Sequence, residues 1–484
     1  MQLLWLQVNG GQELIIKGRI LDEKSNPLQF VNVFLTDSYE GAMSDENGNF
    51  LLKTNKSGKR ILRISHIGYE QQDLEIILEA GKSLELNIIL KESFVPLETV
   101  TITASSFTAA DEEGQTLNSM DVVTTAGAAA DIFRAIQTFP GVNRVDEGAG
   151  MFVRGGDVSE TVILLDGATL AHPYRYESDA GGYFGMINPF LLSGTYFSTG
   201  AFSAKYGNAL SGVLAMQSLG LPAEKSLDLS LGLAALSIGG NYPVLADKLG
   251  IRFSSNYSNT KPLFLVNGGA EEFTSFPISW DTNLSMIYNY SRTGSIKYFY
   301  FATQDDIGVL YESPSYSGTL ISGNKNFFHN LYWKEMPSDK LFIESSLSAN
   351  RFSQDFGIGN LDINSQDRLI KWRTDFIYHI SKDWKINSGL EIDRTLTEVS
   401  GSYPLDENDL SPNAAQSTFK SDYNATHEGV YLETEMNLLR RFFTISGLRM
   451  DYANEIGSVV VDPRLSLGYR LSDIQIIKLA TGIY

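Results

Sequence analysis

The sequence predicts a mainly β protein in three parts: a small β-sandwich, an α+β segment, and part of an antiparallel transmembrane β-barrel. Three observations carry that prediction. From Leu14 to Lys91, short alternating strands are separated by Gly, Asn and Pro turns. A helical period interrupts them at Ala128–Ile136. From Lys225 onward, runs of about ten residues alternate between apolar and polar, with aromatic residues near their ends.

The first residues, Met1 to Val8, are apolar around Leu3, Leu4, Trp5 and Leu6, with no basic residue before Lys17. They read either as an ordinary strand or as the remnant of a secretory signal. In the next stretch, residues 14–91, Ile16, Gly18 and Ile20 alternate with Lys17 and Arg19, and Asp22 to Pro27 forms a turn. Strands are expected at Phe30–Leu35, Phe50–Leu52, Arg60–Ile64, Asp73–Leu78 and Leu84–Leu90. Asp45-Glu46-Asn47-Gly48-Asn49 has the look of a calcium loop, but Phe50 and Lys56 stand where such a loop needs Gly and a bidentate Glu. It reads as a turn.

Residues 97–119 combine one strand with a polar linker. Thr99, Thr101 and Thr103 alternate with Val100 and Ile102, which favours an extended chain able to lend its edge to a partner. A last strand of the sandwich is the other reading. Residues 120–220 carry the helix pattern, stopped by Pro140-Gly141, and two strands at Met151–Gly156 and Thr161–Gly167. Residues 225–484 hold the long alternations. Ile370, Trp372, Thr374, Phe376 and Tyr378 alternate with Lys371, Arg373, Asp375, Ile377 and His379. Val430, Leu432, Thr434, Met436 and Leu438 alternate with Tyr431, Glu433, Glu435 and Asn437. Charge on one face with Trp, Tyr and Leu on the other favours a wall against lipid over a soluble sheet.

Composition narrows the function. There are 38 Lys and Arg against 57 Asp and Glu, a net charge of −19, and no basic stripe for nucleic acid. Cysteine is absent, which excludes disulfides, thiolate metal sites and a Cys nucleophile. The five histidines (His66, His172, His329, His379, His427) are too scattered for a helical ligand pair. No phosphate-cradling loop, zinc-protease motif or nucleophile elbow occurs. No cofactor, metal site or enzyme activity is expected.

Two resemblances sharpen this. Gly18-Arg19-Ile20, Asn26-Pro27-Leu28 leading into Val31-Asn32-Val33, Ser44 to Phe50, and His66-Ile67-Gly68-Tyr69 resemble the carboxypeptidase-regulatory-like, transthyretin-like domain. That resemblance implies no peptidase site, and His66 is expected to be structural. Phe139-Pro140-Gly141-Val142, Val153-Arg154-Gly155-Gly156, Leu164-Leu165-Asp166-Gly167 and Tyr206-Gly207 through Ser211-Gly212 resemble, in order and spacing, the plug domain of TonB-dependent outer-membrane receptors.

The second resemblance implies a TonB box at Leu97, Glu98, Thr99, Val100, Thr101, Ile102 and Thr103. It implies uptake of a bulky, scarce solute (a siderophore, oligosaccharide, peptide or cobalamin) through an outer-membrane barrel with the N-terminal domain in the periplasm. TonB with its proton-driven complex, outer-membrane lipid, the solute and a surface lipoprotein are the partners it suggests. Arg154, Gly155, Gly156, Asp166 and Gly167 are the plug-motif residues, with Arg154 expected in a buried ion pair that either latches the plug or simply stabilises the fold. His172, Tyr174, Arg175 and Tyr176 are the substrate-loop candidates, set against a loop packed on the barrel wall. A surface binding or adhesion protein, or a signal-transducing receptor without transport, is the alternative. The family barrel has 22 strands around its plug. The 260 residues from Lys225 to Tyr484 hold about twelve, so the sequence reads as a truncated product or a fragment.

Overall fold

The structure, a computed structural model, describes residues 14–91 and 115–483, except 23–24, 30, 37–40, 46, 67–68, 70–71, 79–82, 146–147, 179–180, 314–315, 407–408, 440 and 473–474. The chain divides into two compact units, Met1–Ile102 and Thr103–Tyr484. The apolar start at Met1–Val8 and the box-like strand Leu97–Thr103 lie outside the described residues.

The first unit contains β1 (Leu14–Asp22), β2 (Asn32–Leu35), β3 (Gly41–Met43), β4 (Asn49–Thr54), β5 (Gly58–Ser65), β6 (Gln72–Leu78) and β7 (Leu84–Leu90). They form two sheets, ordered β4-β1-β7 and β3-β2-β5-β6. Their alternation turns Ile16, Ile20, Val33, Leu35, Leu52, Leu62, Ile64 and Ile88 into one core. Gly18 stands between Ile16 and Ile20 on that inner face because a Cβ there would fall 1.9 Å from the Leu86 carbonyl oxygen. The Asp45 carboxylate accepts the backbone N–H groups of Asn47 at 2.9 Å and Asn49 at 2.8 Å, so the acidic segment is a self-closed turn. The Asn49 N–H in particular holds its pKa below the usual range. His66 packs edge-on against Tyr69, with ring centroids 5.3 Å apart, as a structural residue would.

The second unit opens with a small α+β assembly. Its elements are β8 (Gln115–Leu117), α1 (Ser119–Thr124), α2 (Ile132–Ile136), β9 (Val142–Asn143), β10 (Phe152–Val153), β11 (Thr161–Leu165), β12 (Ala168–Thr169), β13 (Tyr174–Arg175), β14 (Phe184–Gly185), β15 (Leu192–Ser198) and β16 (Gly212–Ser218). Five of them form a sheet ordered β12-β11-β16-β15-β8, with β11 and β16 parallel. The expected helix starts four residues late. Ala129 and Ala130 adopt positive φ (52° and 59°), and the Asp131 side chain caps the N–H groups of Phe133 and Arg134. The expected strand at Met151–Gly156 shrinks to β10, because Arg154 and Gly155 turn the chain at φ of 51° and 82°. Asp166 and Gly167, at φ of 46° and 75°, make the two-residue hairpin between β11 and β12.

The rest is one sheet of thirteen strands in sequence order, each antiparallel to its neighbours. They are β17 (Ser226–Leu231), β18 (Ala235–Leu245), β19 (Leu249–Asn259), β20 (Phe273–Asn289), β21 (Ser295–Ser313), β22 (Tyr316–Ser338), β23 (Leu341–Ile358), β24 (Leu361–Ser381), β25 (Trp384–Pro404), β26 (Gln416–Leu439), β27 (Phe442–Ala453), β28 (Ser458–Ser472) and β29 (Gln475–Gly482). Helix α3 (Lys261–Asn267) lies between β19 and β20. Thirteen strands replace the expected twelve, and the sheet is open, with β17 and β29 at its edges.

The two faces of this sheet differ as the alternation required. Trp280, Met286 and Tyr288 are exposed while Asp281, Asn283 and Ser285 are buried. Ile370, Trp372 and Tyr378 are exposed while Arg373 and Asp375 are buried. The exposed apolar run spans nine residues on β20 (Trp280 to Tyr288), β24 (Ile370 to Tyr378), β25 (Trp384 to Ile392) and β26 (Val430 to Leu438). That is the length needed to cross the hydrocarbon of a bilayer on a tilted strand, about 9–11 residues. Connections on one side are short, as at residues 382–383, and on the other long, as at 260–272 and 405–415.

Candidate functional site

The buried face of the sheet seats the α+β assembly, and the contacts fall in three zones. Apolar packing comes first. Phe133, Ile136, Leu165, Met186 and Leu214 share a core with Phe299, Phe301 and Phe328 of the sheet. Polar contacts then fix the position.

The first zone is the Asp166-Gly167 hairpin. The Lys297 ammonium donates to the carbonyl and hydroxyl oxygens of Ser218, both at 2.9 Å, and lies 3.5 Å from the Asp166 carboxylate. Asn330 donates to the carbonyls of Leu165 and Asp166, each at 3.2 Å. Gly167 faces β23 so closely that a Cβ on it would lie 3.6 Å from that of Ser346.

The second zone is the 172–177 loop. The His172 imidazole lies 2.7 Å from Glu177 and 3.3 Å from Asp367, stacked on Phe352 at 3.8 Å between centroids. Burial opposes its charge, but the hydrogen bonds to Asp367 and Glu177 outweigh burial and push its pKa up to about 9. The Arg175 guanidinium lies 2.5 Å from the Asp281 carboxylate, and the Tyr176 N–H donates to Asp305 at 2.9 Å. Tyr174 is buried in the assembly's core, tilted on Phe133 at 4.8 Å. The sequence thus singled out a loop that the structure engages with the wall, and Tyr174 offers no free ring face.

The third zone, Phe202 to Gly207, was not singled out as a contact segment. Here the backbone itself is gripped. Glu433 accepts from the Ser203 hydroxyl and the Ala204 N–H, both at 2.8 Å. Arg464 donates to the carbonyls of Ser203 at 2.7 Å and Tyr206 at 2.9 Å. Arg373 donates to the Lys205 carbonyl at 2.8 Å, and Arg449 to the Ala204 carbonyl at 3.4 Å. The Lys205 ammonium reaches Glu344 at 2.7 Å and Asp375 at 3.8 Å. Burial works against its charge, but those two carboxylates more than compensate and raise its pKa. Gly207 is required because a Cβ there would fall 2.3 Å from the Arg449 guanidinium.

Arg154 departs from expectation. It is exposed and makes no ion pair among the described residues. Its positive φ puts it on a turn, while the buried guanidiniums that hold the assembly belong to the sheet. Gly155 shares that turn, and Gly156 is needed because a Cβ would lie 2.0 Å from the Ser211 hydroxyl. The sheet residues Lys297, Glu344, Arg373, Glu433, Arg449 and Arg464 were missed as a set. Their signal was charge on the face opposite the Trp and Leu. Among the described residues, no group of three or more His, Asp and Glu is placed to hold a metal ion.

A small α+β assembly is thus clasped to the polar face of an open sheet whose other face is apolar. Residues 16–102 match the CarboxypepD_reg-like domain and residues 114–213 the TonB-dependent Receptor Plug Domain. The chain is 26% identical over 219 residues to the TonB-dependent receptor SusC of Bacteroides thetaiotaomicron, covering 41% of this chain and 20% of SusC. A mutant ferric enterobactin receptor, PfeA from Pseudomonas aeruginosa, has the same fold with a TM-score of 0.57 and 15% identity, over 78% of this chain and 62% of PfeA. The closed form of the ferric-catecholate import receptor Fiu from Escherichia coli gives 0.58 and 12%, over 76% of this chain and 64% of Fiu. The chain therefore spans a fifth of the SusC length and under two thirds of the solved receptors.

Proposed function

We propose that the chain acts in TonB-driven uptake of a bulky solute across the outer membrane, the plug of residues 120–220 blocking the path until it is pulled. The observation that carries this reading is the clasp at residues 202–207. It holds the plug by hydrogen bonds and ion pairs to five sheet strands, contacts that water can replace as they part. Such work is mechanical and needs no catalytic group. The loop 172–176 is the ligand-facing end of the plug. In support, its partners Asp305 and Asp367 lie beyond the apolar run, toward the long connections. The solute belongs to the siderophore, oligosaccharide or peptide class, and the carboxypeptidase-regulatory-like domain of residues 14–91 faces the periplasm.

In this reading Leu97–Thr103 is the handle that pairs with TonB by adding a strand. The test is to titrate a synthetic peptide spanning Val95 to Ser105 with the C-terminal domain of TonB. Saturable binding, abolished when Val100 and Ile102 are both replaced by Pro, is expected because Pro cannot donate to a ladder. No binding by the parent peptide would remove the handle and, with it, the energy source.

A further inference from the structure

Beyond the plug loop, toward the 405–415 connection, the apolar and polar faces of β23 to β26 change places. Phe356 and Ile358 on β23 continue the face on which Phe352 stacks against His172 and Gln354 donates to the Glu177 carbonyl at 2.8 Å. On β24, Leu361 and Ile363 share the face of Asp367 in the same way. Register sets Phe356 opposite Ile363 and Ile358 opposite Leu361. The first row runs on through Gly401 to Phe419 on β26, the second to Tyr403 on β25. The Tyr403 and Phe419 rings lie 6.1 Å apart between centroids. Ile358 is buried, Tyr403 keeps 43% of its exposure, and the other four are half-buried. The outer face of these strands is polar at this level, with Asp355, Asn364, Ser400 and Lys420 in one row and Asp362 and Ser402 in the next.

Four strands at ordinary spacing make this inner belt roughly 15 Å wide, the span of about five residues of extended chain. Its side chains select what can lie on it. Ile358, Leu361 and Ile363 offer a sugar neither hydrogen bonds nor a ring face, so hydroxyls pressed against them would lose water without gaining a partner. Charge selects as well. The contacts that hold the plug loop gather four carboxylates, Glu177, Asp281, Asp305 and Asp367, around the Arg175 guanidinium and the His172 imidazole. That surplus, directly below the belt, opposes an anionic chelate and favours a cation.

We propose that the belt binds a short peptide in extended form, its apolar side chains on the belt and its amino terminus toward the acidic plug loop. The proposal rests on the uptake reading of the chain and narrows its solute from three classes to one. An extended peptide sends every second side chain to one face, so a chain of alternating apolar residues meets the belt with all of them.

The test is isothermal titration calorimetry of the full chain in phosphatidylcholine nanodiscs, with empty nanodiscs as the blank. The probes are a C-terminally amidated pentapeptide alternating leucine with serine, maltopentaose, and a ferric tricatecholate. The peptide alone is expected to bind, with a negative heat-capacity change. Acetylating its amino terminus should weaken it about tenfold. Phe356→Ser and Tyr403→Ser should each weaken it about tenfold as well, while Asp355→Asn on the outer face leaves affinity unchanged. The comparison of probes uses the parent chain, so it stands even where a variant fails to fold. Preference for maltopentaose or the tricatecholate, or unchanged peptide affinity in both belt variants, overturns the peptide site and leaves uptake standing. Binding of none of the three overturns it too, and the TonB titration above, which needs no cargo, tells whether uptake falls with it.

Discussion

Replacing Lys205 by Met removes one charge from a buried group of three while keeping most of the stem. The ammonium is 2.7 Å from Glu344 and 3.8 Å from Asp375, and the Lys205 and Glu344 side chains keep 22% and 10% of their exposure. Asp375 retains Arg373 at 2.8 Å and the Tyr431 hydroxyl at 2.6 Å, so the loss falls mainly on Glu344, left with the Tyr332 hydroxyl at 2.8 Å. Breaking a buried pair from one side costs about 3–5 kcal/mol. The residual exposure of Lys205 places this case near 3 kcal/mol, or roughly a 100-fold shift toward the released clasp. Amide hydrogen exchange at residues 202–207 should quicken by that factor while exchange in β20 to β26 stays slow. Adding Glu344→Gln to Lys205→Met should restore part of the protection, since the stranded carboxylate is then gone. Unchanged exchange in Lys205→Met, or simple additivity in the double variant, would refute the claim that this pair holds the clasp.

Three further outcomes follow from the same geometry. Because the pKa of His172 is raised from 6.5 to about 9, its contribution to stability is complete below pH 6.5 and disappears as pH rises through 9. Thermal unfolding should therefore show a fall across that window that His172→Gln flattens. Asp131→Ala removes the cap of α2 and the bond from the Gly185 N–H, and should cost about 1–2 kcal/mol in denaturant unfolding. In a chain without cysteine, Gly167→Cys with Ser346→Cys should crosslink on mild oxidation, read as a mobility change reversed by reductant. The Cβ separation of 3.6 Å is bridgeable, although the positive φ of residue 167 adds about 1–2 kcal/mol of strain.

What could be read ahead of the structure was whatever local periodicity encodes. The strands of the sandwich and the two-faced alternation at Ile370–Tyr378 and Val430–Leu438 follow from side chains choosing a face. The start of α2 did not, because an alanine run favours helix locally and only the Asp131 cap and the Gly185 contact stop it. Arg154 misled for a related reason. An Arg beside two glycines suits a buried pair, but the glycines serve a turn and a close approach to Ser211. The clasp at residues 202–207 was invisible because it is held largely through main-chain atoms, which carry no residue identity, by partners up to 262 positions away.

Strand length has its own consequence. On β26, nine residues of the 24 face the apolar layer, leaving residues 416–429 to climb beyond it. At about 3.3 Å per residue and a tilt near 40°, that is a rise of roughly 35 Å above the lipid. In a membrane this part of the wall would stand well clear of the surface. On the proposed uptake reading, cargo would pass along that raised wall before meeting His172 and Arg175, so its width as well as its recognition would bear on what reaches them.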